Sequence, residues 1–249
     1  MYQPTDRGLC AASLHCLVPM TTEKREQHAS NASGMSWLRE LGGRFIVFDG
    51  PDGSGKSTQL HRFARACQMA GVPVCEVREP GGTQIGEQIR TLLLDHSDED
   101  IAVETEMLLY MASRAQLVAR RIVPALDAGE LVLADRFVSS TLAYQGTAGQ
   151  MSMDQIRAVA DVVTRGATPD VVVIFDVDEK AAAGRLNPLL DRMEAKGSAF
   201  HKRVREGYLE QARENPDGHI VINASVGEDE VFASLMYALQ RKFAPDIHQ

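Results

Sequence analysis

Cysteine is scarce in this chain of 249 residues, which contains four of them. Cys10, Cys16, Cys67 and Cys75 include no C-x-x-C pair, and no histidines stand at zinc-finger spacing. This pattern indicates neither a zinc site nor a disulfide framework. We therefore expect reduced thiols, as in a cytosolic protein.

The sequence also lacks an excess of basic charge. Its formal net charge is −8, whereas binding of long nucleic acid needs a basic field that releases counterions. A small phosphorylated ligand needs only local positive charge. The composition therefore argues against long nucleic acid as the partner.

Long apolar runs are missing as well. No run approaches the roughly 18 apolar residues of a membrane span. Residues 9–20 include His15 and Pro19 and lack a strongly basic start, so they make a poor secretory signal. We expect a soluble, cytoplasmic protein with no membrane partner.

The length and the 44% apolar composition suffice for one sizeable core and argue against a second large domain. Residues 1–43 mix small, polar and charged residues without sustained periodicity, and Gly42 and Gly43 close them. They are predicted to be a mostly disordered N-terminal extension. A start at Met35 is the alternative explanation of this extension. The catalytic domain is expected over residues 44–249.

From residue 44 onward, short β-rich runs alternate with longer helical ones, as a parallel sheet with crossover helices requires. Strands are predicted at residues 45–48, 72–77, 131–134, 171–175 and 220–222, and helices at residues 56–70, 87–94, 104–126, 154–164 and 228–243. The series predicts an α/β fold: a three-layer, doubly wound domain with a five-stranded parallel sheet. Ligands are expected at the carboxyl ends of the strands, just after Phe48, Val77, Leu133 and Phe175.

Residues 50–57 read G-P-D-G-S-G-K-S and fit the phosphate-loop pattern G-x-x-x-x-G-K-[ST] between the first strand and the first long helix. Glycines let backbone N–H groups wrap a polyphosphate, and the helix N-terminus adds partial positive charge. Lys56 is expected to bridge the donor phosphates, and the Ser57 hydroxyl to bind Mg²⁺. A plain glycine-rich turn is the alternative. The loop alone does not distinguish a GTPase, an ATPase or a kinase.

A carboxylate and an arginine, Asp135 and Arg136, end the third predicted strand. In a P-loop fold a carboxylate there reaches the Mg²⁺ shell, and a guanidinium grips the phosphate of a second substrate bidentately. An exposed charged pair is the alternative. Residues 78–83, R-E-P-G-G-T, join Arg78 to a glycine-rich turn at the mouth of the same crevice. A plain turn explains that segment equally well.

Tyr110 and Arg114 stand four residues apart on a predicted helix, and hence on one of its faces. An aromatic ring beside a guanidinium is suited to stack on and hydrogen-bond a flat base. A packed aromatic and a solvated arginine are the alternative.

Six segments carry a family resemblance: F-D-G-P-D-G-S-G-K-S-T, R-E-P-G-G-T, I-R-T-L-L-L-D, Y-M-A-S-R-A-Q-L-V, D-R-F-V-S-S-T-L-A-Y-Q-G and L-D-R-M-E. In this order and spacing they resemble the thymidylate kinases, which use ATP to phosphorylate dTMP to dTDP. The second and fifth segments are the most specific. The resemblance implies Mg²⁺ as cofactor, ATP as co-substrate, a role in dTTP supply for DNA synthesis, and a homodimer packed through helices.

The resemblance also implies residues that bind the donor. Lys56 and Arg136 would hold the phosphates being joined, and Ser57 and Asp135 would bind Mg²⁺. The ATP-binding residues would be Gly50, Pro51, Asp52, Gly53, Ser54, Gly55, Lys56, Ser57 and Thr58.

For the acceptor dTMP, the resemblance implies that Asp52 contacts the sugar 3′-hydroxyl, that Arg114 donates to thymine O4, and that Tyr110 stacks on the ring. Because arginine only donates, the amino group of cytosine would face another donor there. The remaining implied residues are Thr141 and Gln145 at the pyrimidine edge, Tyr144 crowding a 2′-hydroxyl, and Arg78 near the acceptor phosphate.

Residues 183–197 resemble the family's mobile lid over ATP. The family places a catalytic arginine either in the phosphate loop or in the lid, and the variable loop positions here hold no arginine. The lid offers Arg185 and Arg192, whereas Asn187 and Pro188 occupy positions where another arginine is expected. The sequence leaves open which guanidinium reaches the transition state.

The expected mechanism is direct in-line transfer of the γ-phosphoryl group of ATP to the 5′-phosphate of dTMP, without a covalent intermediate or a general base. Two alternatives remain. One is a small P-loop kinase for another nucleoside monophosphate or for a deoxynucleoside. The other is a noncatalytic nucleotide-binding regulator with a depleted lid.

Overall fold

The computed structural model describes residues 35–95, 99–178, 181–182, 184–185 and 191–245. The strands are β1 (Phe45–Asp49), β2 (Val74–Arg78), β3 (Leu131–Asp135), β4 (Val171–Asp176) and β5 (His219–Asn223). The α-helices are α1 (Lys56–Met69), α2 (Gln84–Leu94), α3 (Val103–Leu117), α4 (Val123–Asp127), α5 (Val138–Thr141), α6 (Met153–Thr164), α7 (Ser198–Glu214) and α8 (Glu228–Phe243). Shorter elements are 3₁₀ turns at Ser36–Leu41 and Glu194–Lys196, and π-helical stretches at Val118–Ile122 and Leu142–Ala148.

The five strands form one parallel sheet in the order β2-β3-β1-β4-β5. Val47, in the middle of β1, pairs with Ala134 of β3 on one side and Val172 of β4 on the other. The chain therefore leaves β1 toward one edge of the sheet for β2 and β3, and toward the other edge for β4 and β5. Such a reversal opens a crevice beyond the carboxyl ends of the central strands. The α/β fold and its five parallel strands are as predicted.

Both faces of the sheet are covered, as a parallel sheet requires. Along β1, Ile46 and Phe48 point into a core shared with α1 and α8. Phe45 and Val47 point into a second core shared with the end of α3, the π-helical stretch after it, and α4. This alternation follows from the two-residue repeat of a strand, and it explains why β1 reads as an unbroken apolar run.

Two helical regions differ from the prediction. The single helix expected at residues 104–126 consists of α3, the π-helical stretch Val118–Ile122 and α4. Pro124 lacks an N–H and cannot continue the regular hydrogen-bond ladder, so the ladder changes register just before it. Helix α7 was not predicted, because few apolar residues mark its inner face. Phe200, Val204 and Tyr208 are its buried apolar side chains, in a strongly charged sequence.

The predicted boundary between extension and domain lies too far along the chain. The described residues from Trp37 onward form one compact unit. Trp37, Leu38 and Leu41 are at most 2% exposed and belong to the core under α1. The first 34 residues of the predicted extension lie outside the described residues. The expected disorder therefore does not apply to residues 37–41, since three apolar side chains in this short turn are held by the core.

Cys67 and Cys75 are buried free thiols, and Cys10 and Cys16 lie outside the described residues. Burial raises the pKa of the Cys67 thiol to about 12. Within the part of the chain that the structure describes, no helix is long and apolar enough to cross a membrane.

Trp37→Ala tests whether this turn belongs to the folded domain. We expect the free energy of unfolding to fall by about 4 kcal/mol, because a buried tryptophan is lost from the core. Urea denaturation followed by circular dichroism measures it. Val162→Ala is the control, since Val162 is 77% exposed and its truncation should change stability by about 0.5 kcal/mol at most. A Trp37→Ala effect no larger than that of the control would contradict the assignment.

Candidate active site

The phosphate loop connects β1 to α1 at the centre of the sheet. Gly55 precedes α1 in the left-handed conformation, with φ of 79°. Gly50 has φ of 141°, and a Cβ there would lie 2.6 Å from the carbonyl oxygen of Phe175. Both positions therefore require glycine, one for its backbone angle and the other also for its closeness to β4. The motif occupies the place predicted for it.

Two cavities lie on either side of this loop. The loop cavity, of about 410 Å³, is lined by Gly53, Ser54, Gly55, Lys56, Ser57, Thr58, Gln59, Arg185, Ala224, Val226, Glu228 and Val231. The tyrosine cavity, of about 280 Å³, is lined by Asp52, Lys56, Ser57, Arg78, Glu79, Pro80, Arg90, Leu94, Tyr110, Asp135, Arg136, Ser140, Thr141, Tyr144, Gln145, Asp191, Met193 and Glu194. Lys56 and Ser57 line both cavities, so they stand where the two spaces meet.

The predicted ATP-binding residues divide between the cavities. Those from Gly53 to Thr58 line the loop cavity, whereas Asp52 faces the tyrosine cavity. The Gly50 carbonyl accepts a hydrogen bond from Arg136 at 3.2 Å, and the Pro51 carbonyl accepts one from the Ser54 N–H at 3.3 Å. The buried Ser54 hydroxyl has no partner among the described residues. A polyphosphate in the loop cavity would supply one.

Lys56 is 7% exposed, and its ammonium lies 4.0 Å from the Asp52 carboxylate. Burial and the neighbouring Arg136 charge lower the pKa of Lys56, although Asp135 and Asp52 act in the opposite direction. A bound phosphate would act in the same direction as these carboxylates, because an anion favours the charged ammonium.

Ser57 and Asp135 come together as predicted, with the Ser57 hydroxyl donating to the Asp135 carboxylate. A hydroxyl and a carboxylate are hard oxygen donors of the kind that Mg²⁺ prefers. Among the described residues, no cluster of three or more His, Cys, Asp or Glu could hold a metal ion alone. This donor set fits an ion that takes few protein ligands and completes its shell with water and substrate phosphates.

Arg136 follows β3 and has φ of 73°, a conformation unusual for any residue other than glycine. Its guanidinium donates to Asp52, to the Ser140 hydroxyl at 3.0 Å and to the Tyr208 hydroxyl at 3.0 Å. Burial disfavours its charge, but Asp52 and the neighbouring tyrosines raise the pKa of Arg136 well above its usual value. It is a fixed cation at the edge of the tyrosine cavity.

Asp52 is held from two sides. One carboxylate oxygen accepts from Arg136 and the other from the Tyr144 hydroxyl, at 2.6 Å. Burial opposes ionisation of Asp52, but the charges of Arg136 and Lys56 outweigh it and lower the pKa to about 2. At neutral pH the carboxylate is therefore ionised and acts only as an acceptor.

A buried carboxylate at the end of β1, Asp49, was not predicted. It is 0% exposed and accepts hydrogen bonds from Ser139 at 2.6 Å, Ser140 at 2.7 Å and Tyr208 at 2.5 Å. The signal was present, since Asp49 directly follows the apolar run of β1. Tyr208 could not be placed without α7, which was not predicted.

Arg114 is 1% exposed, so the alternative of a solvated arginine is wrong. Its guanidinium pairs with Glu79 at 2.6 Å and donates to the Phe137 carbonyl at 2.9 Å and to the Thr141 hydroxyl at 3.1 Å. Arg114 is not one of the described residues that line the tyrosine cavity, whereas Thr141 is. Its contact with thymine O4 stays a prediction.

Glu79 is a second residue that was not predicted. Burial raises the pKa of Glu79, although Arg114 acts against the shift. Its second carboxylate oxygen is buried and without a partner among the described residues, at the wall of the tyrosine cavity.

The other predicted acceptor residues line the tyrosine cavity: Arg78, Tyr110, Thr141, Tyr144 and Gln145. Arg78 also pairs with Glu87 at 2.8 Å. Burial and the charge of Glu106 raise the pKa of the Tyr110 hydroxyl, which therefore stays protonated. Tyr144 and Gln145 belong to the π-helical stretch Leu142–Ala148, an irregularity often found at functional sites.

The two lid arginines lie in different places. Arg185 lines the loop cavity and donates to the Ala224 carbonyl at 2.9 Å. Arg192 pairs with Glu106 at 2.7 Å and donates to the Leu93 carbonyl at 2.7 Å, and it lines neither cavity. Asn187 and Pro188 lie outside the described residues. The structure thus brings Arg185, but not Arg192, to the phosphate loop.

Comparisons with known proteins identify the family of this chain. A family model described as thymidylate kinase matches residues 48–235. The thymidylate kinase of Desulforudis audaxviator is 43% identical, over 83% of this chain and 94% of that protein. That of Deinococcus radiodurans is 42% identical, over 80% and 98%. A crystal structure of thymidylate kinase from Ehrlichia chaffeensis matches with a TM-score of 0.65 and 34% identity, covering 79% of this chain and 98% of that one. This chain therefore belongs to the thymidylate kinase family.

Proposed function

We propose that this enzyme phosphorylates dTMP to dTDP with the γ-phosphoryl group of ATP. The observation that carries the proposal is the pair of cavities that meet at Lys56 and Ser57. The loop cavity has the glycines and helix N-terminus that suit a polyphosphate. The tyrosine cavity has an arginine for a phosphate and polar groups for a base. The names of the relatives support dTMP as the acceptor.

The acceptor phosphate oxygen is already anionic at neutral pH and needs no deprotonation. The protein would therefore catalyse the transfer by positioning the two substrates and neutralising their charge. Lys56 would bridge the two substrates from the point shared by both cavities. Arg136, fixed by Asp52 and Ser140, would hold the acceptor phosphate. Arg185 would add positive charge from the loop-cavity side. No covalent intermediate and no general base are needed.

Ser57 and Asp135 would hold Mg²⁺, whose contribution when bound is to neutralise charge on the donor phosphates. Before it binds, the contact between the two side chains keeps both oxygen donors in one place.

The base would be recognised by the far end of the tyrosine cavity. The Tyr110 ring would stack on the pyrimidine. Arg114 is not among the described residues that line the cavity, so its predicted contact with thymine O4 would be made through Thr141. The Thr141 hydroxyl accepts from Arg114 and keeps its own hydrogen to donate to O4. Ionised Asp52 would accept from the sugar 3′-hydroxyl, and Tyr144, fixed on Asp52, would crowd a 2′-hydroxyl.

Two further parts of the proposal rest on family resemblance. The reaction would serve dTTP supply for DNA synthesis in the cytoplasm. The enzyme would be a homodimer packed through helices, for which the exposed apolar side chains of Ile85 and Leu92 on α2 and Leu108 on α3 give support. Light scattering should give twice the mass of one chain, and a monomeric mass would contradict the dimer.

A substrate panel tests the function. ADP release is measured in a coupled assay with Mg·ATP and dTMP, dUMP, dCMP, UMP or thymidine as acceptor. We expect dTMP to have the highest kcat/KM, and thymidine to give no turnover because it lacks the phosphate that Arg136 would hold. Lys56→Ala should lower kcat about 100-fold or more and serves as the control for a contaminating kinase.

Other outcomes of the panel point to other functions. Preference for another acceptor would retain a P-loop kinase and overturn the assignment of the tyrosine cavity. Binding of ATP without turnover of any acceptor would indicate a noncatalytic regulator.

Comparison of Arg185→Ala with Arg192→Ala tests which lid arginine is catalytic. We expect Arg185→Ala to lower kcat about 100-fold or more, since its guanidinium lies at the loop cavity. Arg192→Ala should lower kcat much less, because Arg192 is engaged with Glu106 and Leu93. Steady-state kinetics of both variants, with Arg185→Lys as the charge-retaining control, measures the difference. A larger loss of kcat in Arg192→Ala would reverse the assignment.

A further inference from the structure

Glu106, on the inner face of α3, is a buried carboxylate that the mechanism above does not use. It is 1% exposed and receives hydrogen bonds from three side chains. The Gln145 amide donates at 2.8 Å, Arg192 at 2.7 Å and Lys196 at 2.9 Å. A buried charge needs partners of this kind. The arrangement joins the lid segment at residues 192–196 to a residue of the tyrosine cavity.

These partners keep Glu106 ionised. Burial alone would raise its pKa, but the Gln145 hydrogen bond and the cations of Lys196 and Arg192 outweigh burial and lower the pKa below its usual value. An ionised carboxylate accepts hydrogen bonds and donates none. The Gln145 group that faces Glu106 must therefore be its NH₂.

The Glu106 contact leaves the carbonyl oxygen of the Gln145 amide for the cavity. With its NH₂ group held by Glu106, Gln145 keeps its carbonyl oxygen for other partners, and Gln145 lines the tyrosine cavity. If the amide were turned around, its oxygen would face a carboxylate, and two acceptors would oppose each other. Glu106 therefore fixes the orientation of the Gln145 amide, so that its carbonyl oxygen rather than its NH₂ group is available to a ligand.

Thr141, which lines the same cavity, offers a hydrogen-bond donor where Gln145 offers an acceptor. Thr141 accepts from Arg114, a group that only donates, so the Thr141 hydrogen is free to donate. The wall thus offers a donor at Thr141 and an acceptor at Gln145. Thymine and uracil present O4, an acceptor, beside N3–H, a donor. Cytosine presents an amino group beside an unprotonated N3, which reverses both.

We propose that Glu106 is a positioning residue that locks the Gln145 amide, so that the cavity selects pyrimidines with an N3–H over cytosine. The inference rests on the proposed function, because it assumes a pyrimidine nucleotide in the tyrosine cavity. Arg192 and Lys196 act in it by holding Glu106 rather than by touching the transferred phosphoryl group.

Glu106→Gln tests the proposal, because an amide at this position pairs with Gln145 in either orientation. The kcat/KM values for dTMP, dUMP and dCMP are measured with Mg·ATP. We expect the dTMP:dCMP ratio to fall at least about 10-fold. The dTMP:dUMP ratio should stay unchanged, since both bases carry N3–H. A purely structural defect would lower all three values together and leave both ratios intact.

Two further variants separate the interpretations. Glu104→Gln removes an exposed carboxylate two residues away on α3 and should leave both ratios unchanged. Gln145→Leu should itself lower the dTMP:dCMP ratio, and Glu106→Gln added to it should lower that ratio no further. The second result follows only if Glu106 acts through Gln145.

An unchanged dTMP:dCMP ratio in folded Glu106→Gln would overturn the proposal. The proposal would also be overturned if Glu106→Gln lowered the dTMP:dCMP ratio by the same factor in the wild-type and the Gln145→Leu backgrounds. If Glu106→Gln does not fold, the test rests on Gln145→Leu. An unchanged dTMP:dCMP ratio in Gln145→Leu would contradict the proposal. Failure of the proposed function would look different, since the wild-type enzyme would then not turn over dTMP. A wild-type preference for dCMP would overturn both.

Discussion

The contact between Arg136 and Asp52 is the interaction on which the site depends. It joins the phosphate loop to the residue that follows β3, and that residue, Arg136, has a positive φ that a non-glycine residue rarely adopts. Around it, two cations, Lys56 and Arg136, face three carboxylates, Asp49, Asp52 and Asp135. Buried charges persist only where each has partners. Each charge of the cluster therefore has a partner of opposite sign within the site itself.

The sheet topology explains why residues far apart in sequence meet here. Arg78, Asp135 and Asp49 end β2, β3 and β1, which are neighbours in the sheet. Because all strands are parallel, their carboxyl ends lie at one edge, and the reversal of strand order opens a crevice there. Arg78 and Asp135 therefore line the tyrosine cavity together, whereas Asp49 is buried and hydrogen-bonded to Ser140 of the cavity wall. The loop and tyrosine cavities both lie at this edge, and Lys56 and Ser57 line both of them.

The sequence predicted what depends on local pattern, and the structure added what depends on distant pairing. Strands buried on both faces gave continuous apolar runs, and α8 was predicted with its observed bounds of Glu228–Phe243. Helix α7 has few apolar residues, so Tyr208 and its bond to Asp49 were missed. The pairing of Arg114 with Glu79 could not be predicted either, because nothing local distinguishes a buried arginine from an exposed one.

Specificity in such a site rests on residues behind the ones that touch the ligand. A hydroxyl such as that of Thr141 donates or accepts, and an amide such as that of Gln145 offers either end. Neither discriminates between bases until its orientation is fixed. Arg114 can only donate and ionised Glu106 can only accept, so each removes one choice from its neighbour. Burial makes an unsatisfied pairing costly. The arrangement of donors and acceptors at the cavity wall therefore depends on Arg114 and Glu106, which are not among the described residues that line it.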